Sequence, residues 1–263
     1  MSQSENFLKE LYSRLDTINS DYNQGQIQVS KFIQNEYLET YLDQYKLILP
    51  ADKSAKILDI GVGNGWFASV CYALGYEHIE LADFGCTDKF SDVRSNLDPI
   101  KDIHNIETSI TDLLQQEQFH NKYDFIHMSH VLEHVPKYDL IKTMDSLNQS
   151  LREKGTIFIR VPNLLGPIPF NYRYVTAGHE YGFVPSNLKQ MLLISNFEDI
   201  QFHDYDYPSK GLLQIIGGLL RKLYLINAKI KFRLFEGYVP QSVEAELIIS
   251  GHRIINNSKG HQN

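Results

Sequence analysis

The residues best placed to do chemistry begin at Asp59-Ile60-Gly61-Val62-Gly63-Asn64-Gly65-Trp66, an acid and three alternating glycines closing a short apolar run. Glycines there let the backbone turn sharply and approach a ligand closely, while the free N–H groups opening the next helix point at it. A dinucleotide fingerprint needs a glycine where Trp66 stands, and a P-loop needs Gly-Lys-Ser or Gly-Lys-Thr after the glycines; neither is present. Asp83 follows within about 20 residues of the glycines, where a doubly wound sheet sets a carboxylate against ribose hydroxyls. Asp112, then Ser129 and His130, close the next two apolar runs, so four consecutive strand ends carry polar side chains on the rim where such sheets bind ligands. Further on, His179 and Glu180 bring an imidazole and a carboxylate together, the pair suited to taking a proton from a hydroxyl. Phe170, Tyr172, Arg173 and Tyr174 precede them, able to stack on a sugar or hold an anion, or equally to act as a structural staple. His127, His130 and His134 would share a face if helical, but on a strand ending near Ser129 they cannot, and no metal site is expected.

These residues need a frame. KILDIG (56–61), a helical pattern from Trp66 to Leu74 and IELADF (79–84) form a βαβ unit. The alternation continues through strands NIETSI (105–110) and YDFIHMS (123–129), a helix from Tyr138 to Leu151, and strand GTIFIRV (155–161). A helix from Ser186 to Ile194 and strands FEDIQFHDYD (197–206) and VEAELIISGHRI (243–254) complete the pattern. Seven short strands with helices between them predict an α/β architecture, a doubly wound and mostly parallel sheet covered on both faces. Residues 162–185 fit no regular element, and a loop of that length in a compact domain usually has a task, so it is read as a substrate loop. Ahead of the sheet, apolar residues at helical spacing from 5 to 48 predict two amphipathic helices, closed by Pro50. Glu133 and His134, held by Val135-Pro136, are read as a turn bracing the helix that follows.

With 263 residues, 43% hydrophobic and 22% charged, the chain has ordinary globular composition and enough length for one sizeable core. Its formal net charge of −7 gives nucleic acid no general electrostatic grip. The N-terminal residues lack a signal-peptide pattern, and no apolar run reaches the ~20 residues of a span, so a cytoplasmic protein is expected. Two cysteines, Cys71 and Cys86, suit a reducing compartment as buried small hydrophobes. Residues 210–235 combine Leu212, Ile215, Ile216, Leu219, Leu220 and Leu223 at helical spacing with Lys210, Arg221, Lys222, Lys229, Lys231 and Arg233, and contain no acid. Most amphipathic segments pack on their own protein, so a core-packing helix with solvated lysines is expected; the alternative is a membrane surface or acidic ligand.

ILDIGVGNG, the acid of ELADF, the Asp of ITDLL, YDFIHMSHVLEHV and LREKGTIFIRVPN together resemble a class I S-adenosylmethionine-dependent methyltransferase, from about Lys56 to Asp206. Lys154 stands where many members have proline in L-R-P-G-G. The resemblance implies a Rossmann-like methyltransferase fold with an N-terminal helical cap. The divisions are a cap or lid at 1–50, the cofactor domain at 51–255 with an insertion at 208–240, and a polar tail at 256–263. It implies that Asp59 with Gly61, Gly63, Asn64, Gly65 and Trp66 holds the methionine end of S-adenosylmethionine. Asp83 with Phe84 would bind ribose, Asp112 with Leu113 adenine, and Ser129 and His130 would border the sulfonium. TAGHEYGFVPSNLKQMLLISNF (176–197) and SVEAELIISGHR (242–253) are similar to methyltransferases of bacterial polysaccharide clusters, with two residues between Thr176 and His179 where the usual pattern has none. The acceptor this implies is a sugar hydroxyl in a glycan or sugar nucleotide, with His179, Glu180 or His130 as catalytic residues. The alternatives are a small aromatic or quinone-like acceptor and a non-catalytic cofactor-binding scaffold; the apolar stripes of the N-terminal helices fit either a lid or a homodimer face.

Overall fold

In the computed structural model, which describes Glu10, Arg14 and residues 27–34, 38–107, 109–204 and 212–254, seven strands form one sheet in the order β3-β2-β1-β4-β5-β7-β6. They are β1 (Lys56–Ile60), β2 (His78–Asp83), β3 (Ile100–Asn105), β4 (Tyr123–Ser129), β5 (Leu151–Pro162), β6 (Phe197–Phe202) and β7 (Glu246–Arg253). β7 is antiparallel to both its neighbours, and every other pairing is parallel. The order reverses between β1 and β4, and at such a switch point the carboxyl ends of the strands open a crevice.

The helices in chain order are α1 (Val29–Ile33), α2 (Leu38–Lys46), α3 (Trp66–Ala73), α4 (Cys86–Lys89), α5 (Ser91–Asn96), α6 (Ile110–Leu114), α7 (Leu140–Ser150), α8 (Pro169–Tyr174), α9 (Pro185–Ile194) and α10 (Leu212–Phe235). Alternate residues of each central strand feed two cores. Ile57, Phe125 and Phe158 join Phe32, Tyr45, Phe67 and Val70 on one face. Leu58, Ile60, Ile126, Met128 and Ile159 join Leu113, Met144, Leu147 and Leu188 on the other. Both faces are therefore buried, as a parallel sheet requires.

Several features differ from the sequence reading. NIETSI was expected as the third strand, but the strand is Ile100–Asn105, and Ser109 caps α6 by accepting the Asp112 N–H at 3.0 Å. A side-chain acceptor immediately before an apolar turn starts a helix even where β-branched residues suggest a strand. The long loop contains the short helix α8, whose first residue is Pro169, and is pinned by a bridge between Asn163 and Phe183. Lys154 has φ 60, which proline cannot adopt, so it replaces a glycine of L-R-P-G-G and Glu153 replaces the proline. Most of the first expected amphipathic helix and the tail at 256–263 lie outside the described residues.

A buried cluster ties the far half of the sheet together. Glu80 Oε2 accepts from the Tyr123 hydroxyl at 2.7 Å, Lys122 Nζ at 2.8 Å and His104 Nε2 at 2.8 Å. Burial alone would raise this carboxyl, but its three donors hold it down at about 2. A depressed carboxyl stabilises the fold above its ordinary value near 4.5 and loses that contribution as pH falls towards 2. The shift corresponds to about 3 kcal/mol. Urea titration should therefore show Glu80→Gln less stable than the parent near neutrality, with the difference vanishing near pH 2; a constant difference would remove the ionised carboxylate as its source.

Candidate active site

The glycine loop turns on left-handed backbone: φ is +74 at Gly61, +54 at Gly63 and +78 at Gly65. A Cβ on Gly61 would stand 2.1 Å from Val131 Cγ2, so this glycine lets the strand end meet the next loop, whereas at Gly63 nothing lies within 4 Å of that point. Gly63 is the open position of the cradle. Its N–H donates to Asp83 Oδ2 at 3.1 Å, the Phe84 N–H donates to Oδ1 at 2.7 Å, and Lys89 Nζ donates to the Gly63 carbonyl. Burial raises the Asp83 carboxyl, while those two N–H groups and Lys89 pull against it. Phe84 stands exposed beside it; across the rim Asp112 is exposed on the first turn of α6 with Leu113 buried behind it.

Asp59 is buried at the carboxyl end of β1, and the β1–β4 register sets it opposite His127. His127 Nδ1 meets Asp59 Oδ1 at 2.8 Å, and its Nε2 meets the Tyr45 hydroxyl at 3.0 Å. Phe67 stacks on the imidazole with ring centroids 3.7 Å apart. Burial lowers the His127 pKa against the pull of Asp59, so the ring is neutral: Nδ1–H donates to the carboxylate and Nε2 accepts from Tyr45. Asp59 Oδ2 and Ser129 Oγ are buried without a hydrogen-bond partner among the described residues. Trp66 turns its ring onto Tyr41, Tyr45 and His127, so the cradle receives this residue through the helix start and not through its indole.

Across the crevice four charges alternate. Arg160 Nε donates to Glu246 Oε2 at 2.8 Å and its NH2 group donates to the same oxygen; Glu246 Oε1 lies 2.8 Å from His130 Nε2, and His130 Nδ1 lies 3.3 Å from Glu133 Oε1. His130 reaches between the two acids with φ 55, a left-handed conformation that costs a non-glycine residue about 1–2 kcal/mol. Burial opposes its protonation, but Glu133 and Glu246 outweigh it and lift the pKa to about 9. An imidazolium has no lone pair to take a proton, so the two acids favour the cationic form of His130 at neutral pH, and service as a base asks for the neutral ring.

The long loop brings His179 beside this chain. His179 is buried, its ring 4.7 Å from that of His134 in an edge-to-face contact. The Glu180 and Tyr181 N–H groups donate to the Glu133 carbonyl, and Arg173 donates to the carbonyls of His179 and Glu180. Arg173 is thus the staple of the loop, while Phe170 and Tyr174 stay exposed. His134 Nδ1 bonds the Gly178 carbonyl at 3.0 Å, which makes that nitrogen the proton donor and lets the turn brace the loop. Glu133, His134 and His179 offer one ligand atom each within 4.8 Å of one another, the carboxylate and imidazole set that divalent first-row ions take. This trio differs from the histidine trio rejected from the sequence, because His127 is locked to Asp59. Arg160, Glu246 and Glu133 were not singled out as site residues; their signal was a charge inside an otherwise apolar run.

The sequence model of the family described as "Methyltransferase domain" matches residues 32–202. The chain belongs to the methyltransferase domain family. None of the curated proteins matches it. A S-adenosylmethionine-dependent methyltransferase from Archaeoglobus fulgidus aligns with a TM-score of 0.55 and 16% identity, over 81% of this chain and 92% of that one. Phosphoethanolamine N-methyltransferase 2 of Haemonchus contortus, solved with S-adenosylhomocysteine, gives 0.55 and 12%, over 86% and 56%. Human N-acetylserotonin methyltransferase, solved with S-adenosylmethionine, gives 0.51 and 13%, over 86% and 55%. The methyltransferase thus has the Rossmann-like fold of class I enzymes and takes S-adenosylmethionine as cofactor. Its residues fit that molecule: Asp59 Oδ2 is a buried acceptor without a donor, suited to an ammonium, and the open Gly63 position leaves room beside Asp83.

Proposed function

We propose that this methyltransferase methylates a sugar hydroxyl in a glycan or sugar nucleotide, with His179 as the base. The observation that carries the reading is the pairing of His179 with His134 next to His130, which Glu133 and Glu246 hold between them. Burial lowers the His134 pKa against the pull of Glu133, so a neutral imidazole stands beside His179. S-adenosylmethionine supplies the methyl group as a sulfonium, and displacement cancels that charge, so the protein gains most by alignment in a dry crevice. In this reading Asp59 holds the ammonium, Asp83 and Phe84 the ribose, Asp112 and Leu113 the adenine end, while Ser129 and His130 border the reacting centre. His179 removes the hydroxyl proton as the new bond forms, and Glu180 orients the loop that carries it. Residues 1–50 serve as the lid, supported by Tyr41, which packs on Trp66 and beneath the Arg160 guanidinium. Cys71 and Cys86 are both buried and form no disulfide, which supports a cytoplasmic setting.

Release of S-adenosylhomocysteine, measured with sugar nucleotides, catechols and quinols as acceptors before and after EDTA treatment, tests this. Turnover on a sugar nucleotide that survives EDTA is the expected result. Turnover on the aromatic acceptors alone would replace the sugar reading. Loss with EDTA and rescue by a divalent ion would assign the acceptor to a metal held by Glu133, His134 and His179. Cofactor binding without turnover on any acceptor would favour a scaffold.

A further inference from the structure

The 24-residue helix α10 presents its most apolar row outwards, against the expectation that it packs into the core. Leu212, Ile216, Leu219, Leu223, Ile226, Ile230 and Leu234, spaced three or four apart and so on one face, are between 46% and 73% exposed. Its half-buried residues, Gly218, Arg221, Leu225, Ala228 and Phe232, lie on the opposite face. Arg221 fixes the helix there through Glu244 Oε2 at 2.6 Å. A row of large apolar side chains about 33 Å long, facing water, is far more than scattered surface hydrophobics account for.

Charge decides what covers it. The helix carries Arg221, Lys222, Lys229, Lys231 and Arg233 and no acid, and removing these five charges from the net −7 leaves −12 on the rest of the chain. By helical periodicity Lys222, Lys229 and Arg233 flank one side of the apolar row and Lys231 the other, where their stems can run along an apolar layer and their heads stay in water. No described helix is long and apolar enough to cross a membrane, and Arg221-Lys222 interrupts this one near its middle. Two copies of α10 pressed row to row would bring like charges together, whereas an anionic lipid surface attracts the flanks and repels the acidic body, which turns this face towards the bilayer.

We propose that α10 is a membrane-docking helix that lies in the headgroup layer of an anionic bilayer with its row of Leu and Ile side chains inserted. The anchored face of α10 is tied to the start of the long loop, because Glu244, which holds Arg221, also accepts through its carbonyl from Asn163 Nδ2 at 2.8 Å.

Co-sedimentation of the full chain with vesicles of phosphatidylcholine alone, and of phosphatidylcholine mixed with phosphatidylglycerol, tests the docking independently of any acceptor. Binding to the mixed vesicles is expected, falling at least about tenfold in Lys222→Glu/Lys229→Glu and in Leu219→Glu/Leu223→Glu. All four positions are exposed, and unchanged S-adenosylmethionine titration will show that the variants fold. No sedimentation with mixed vesicles overturns the proposal, as does equal binding to neutral vesicles that survives charge reversal. Self-association in sedimentation velocity, abolished by Leu219→Glu/Leu223→Glu without vesicle binding, would assign the face to a second copy.

Discussion

Asp83→Ala is expected to weaken S-adenosylmethionine binding at least about 100-fold in calorimetric titration. A carboxylate offers four lone-pair positions, and Asp83 spends two of them on the Gly63 and Phe84 N–H groups. The other two suit the vicinal hydroxyls of a ribose. Hydrogen bonds to a charged group contribute about 1.5–3 kcal/mol each, so two of them account for the effect. Because Asp83 also holds Gly63 where the backbone must pass close to the ligand, the alanine variant loses some loop order as well. Asp83→Asn keeps one acceptor and should fall between, about tenfold weaker. Unchanged affinity in both variants would reduce Asp83 to a brace for the glycine turn.

His179→Ala is expected to lower turnover between about 10²- and 10⁴-fold, the usual range for a lost general base, while cofactor affinity stays within error of the parent. The separation follows from position: the proposed cofactor cradle lies at the ends of β1, β2 and β4, and His179 arrives on the loop after β5. His130→Gln makes the contrast. It removes the imidazolium between Glu133 and Glu246, leaves a buried and a half-buried acid facing each other, and should raise KM and lower stability together. If His179→Ala retained full turnover while Glu180→Gln lost it, the base would be the carboxylate. If both retained it, deprotonation would not come from this loop.

The parts of the fold legible in the sequence are those that local chemistry decides. YDFIHMS and KILDI are apolar runs bounded by polar or glycine residues, and both strands fall within one residue of where they were read. The glycine loop was legible because three glycines and an acid at a strand end have few other uses. β3 was not, because Ile100 and Ile103 sit among Lys, Asp and His, while NIETSI offers a better β-branched pattern that Ser109 then turns into a helix start. The chain from Arg160 to Glu133 was hidden for a different reason: it depends on which strands pair. The β5–β7 register sets Glu246 opposite Pro162 and so diagonal to Arg160, and no local window contains that information. Helix α10 shows the limit most plainly. Periodicity reveals that an apolar stripe exists; it says nothing about whether the stripe faces in or out.

The position of β7 has a consequence for a chain still being made. β7 is last of the seven strands in chain order, yet it lies between β5 and β6, so the twelve-residue β5 keeps an unpaired edge until residues 246–253 have left the ribosome. Every residue of the proposed cofactor cradle, from Asp59 to Ser129, is available well before that. His130 is available too, but with Glu133 as its sole described carboxylate partner until Glu246 arrives. A stalled nascent chain would therefore carry the cofactor cradle complete, an open apolar edge for chaperones to guard, and a charge relay one member short.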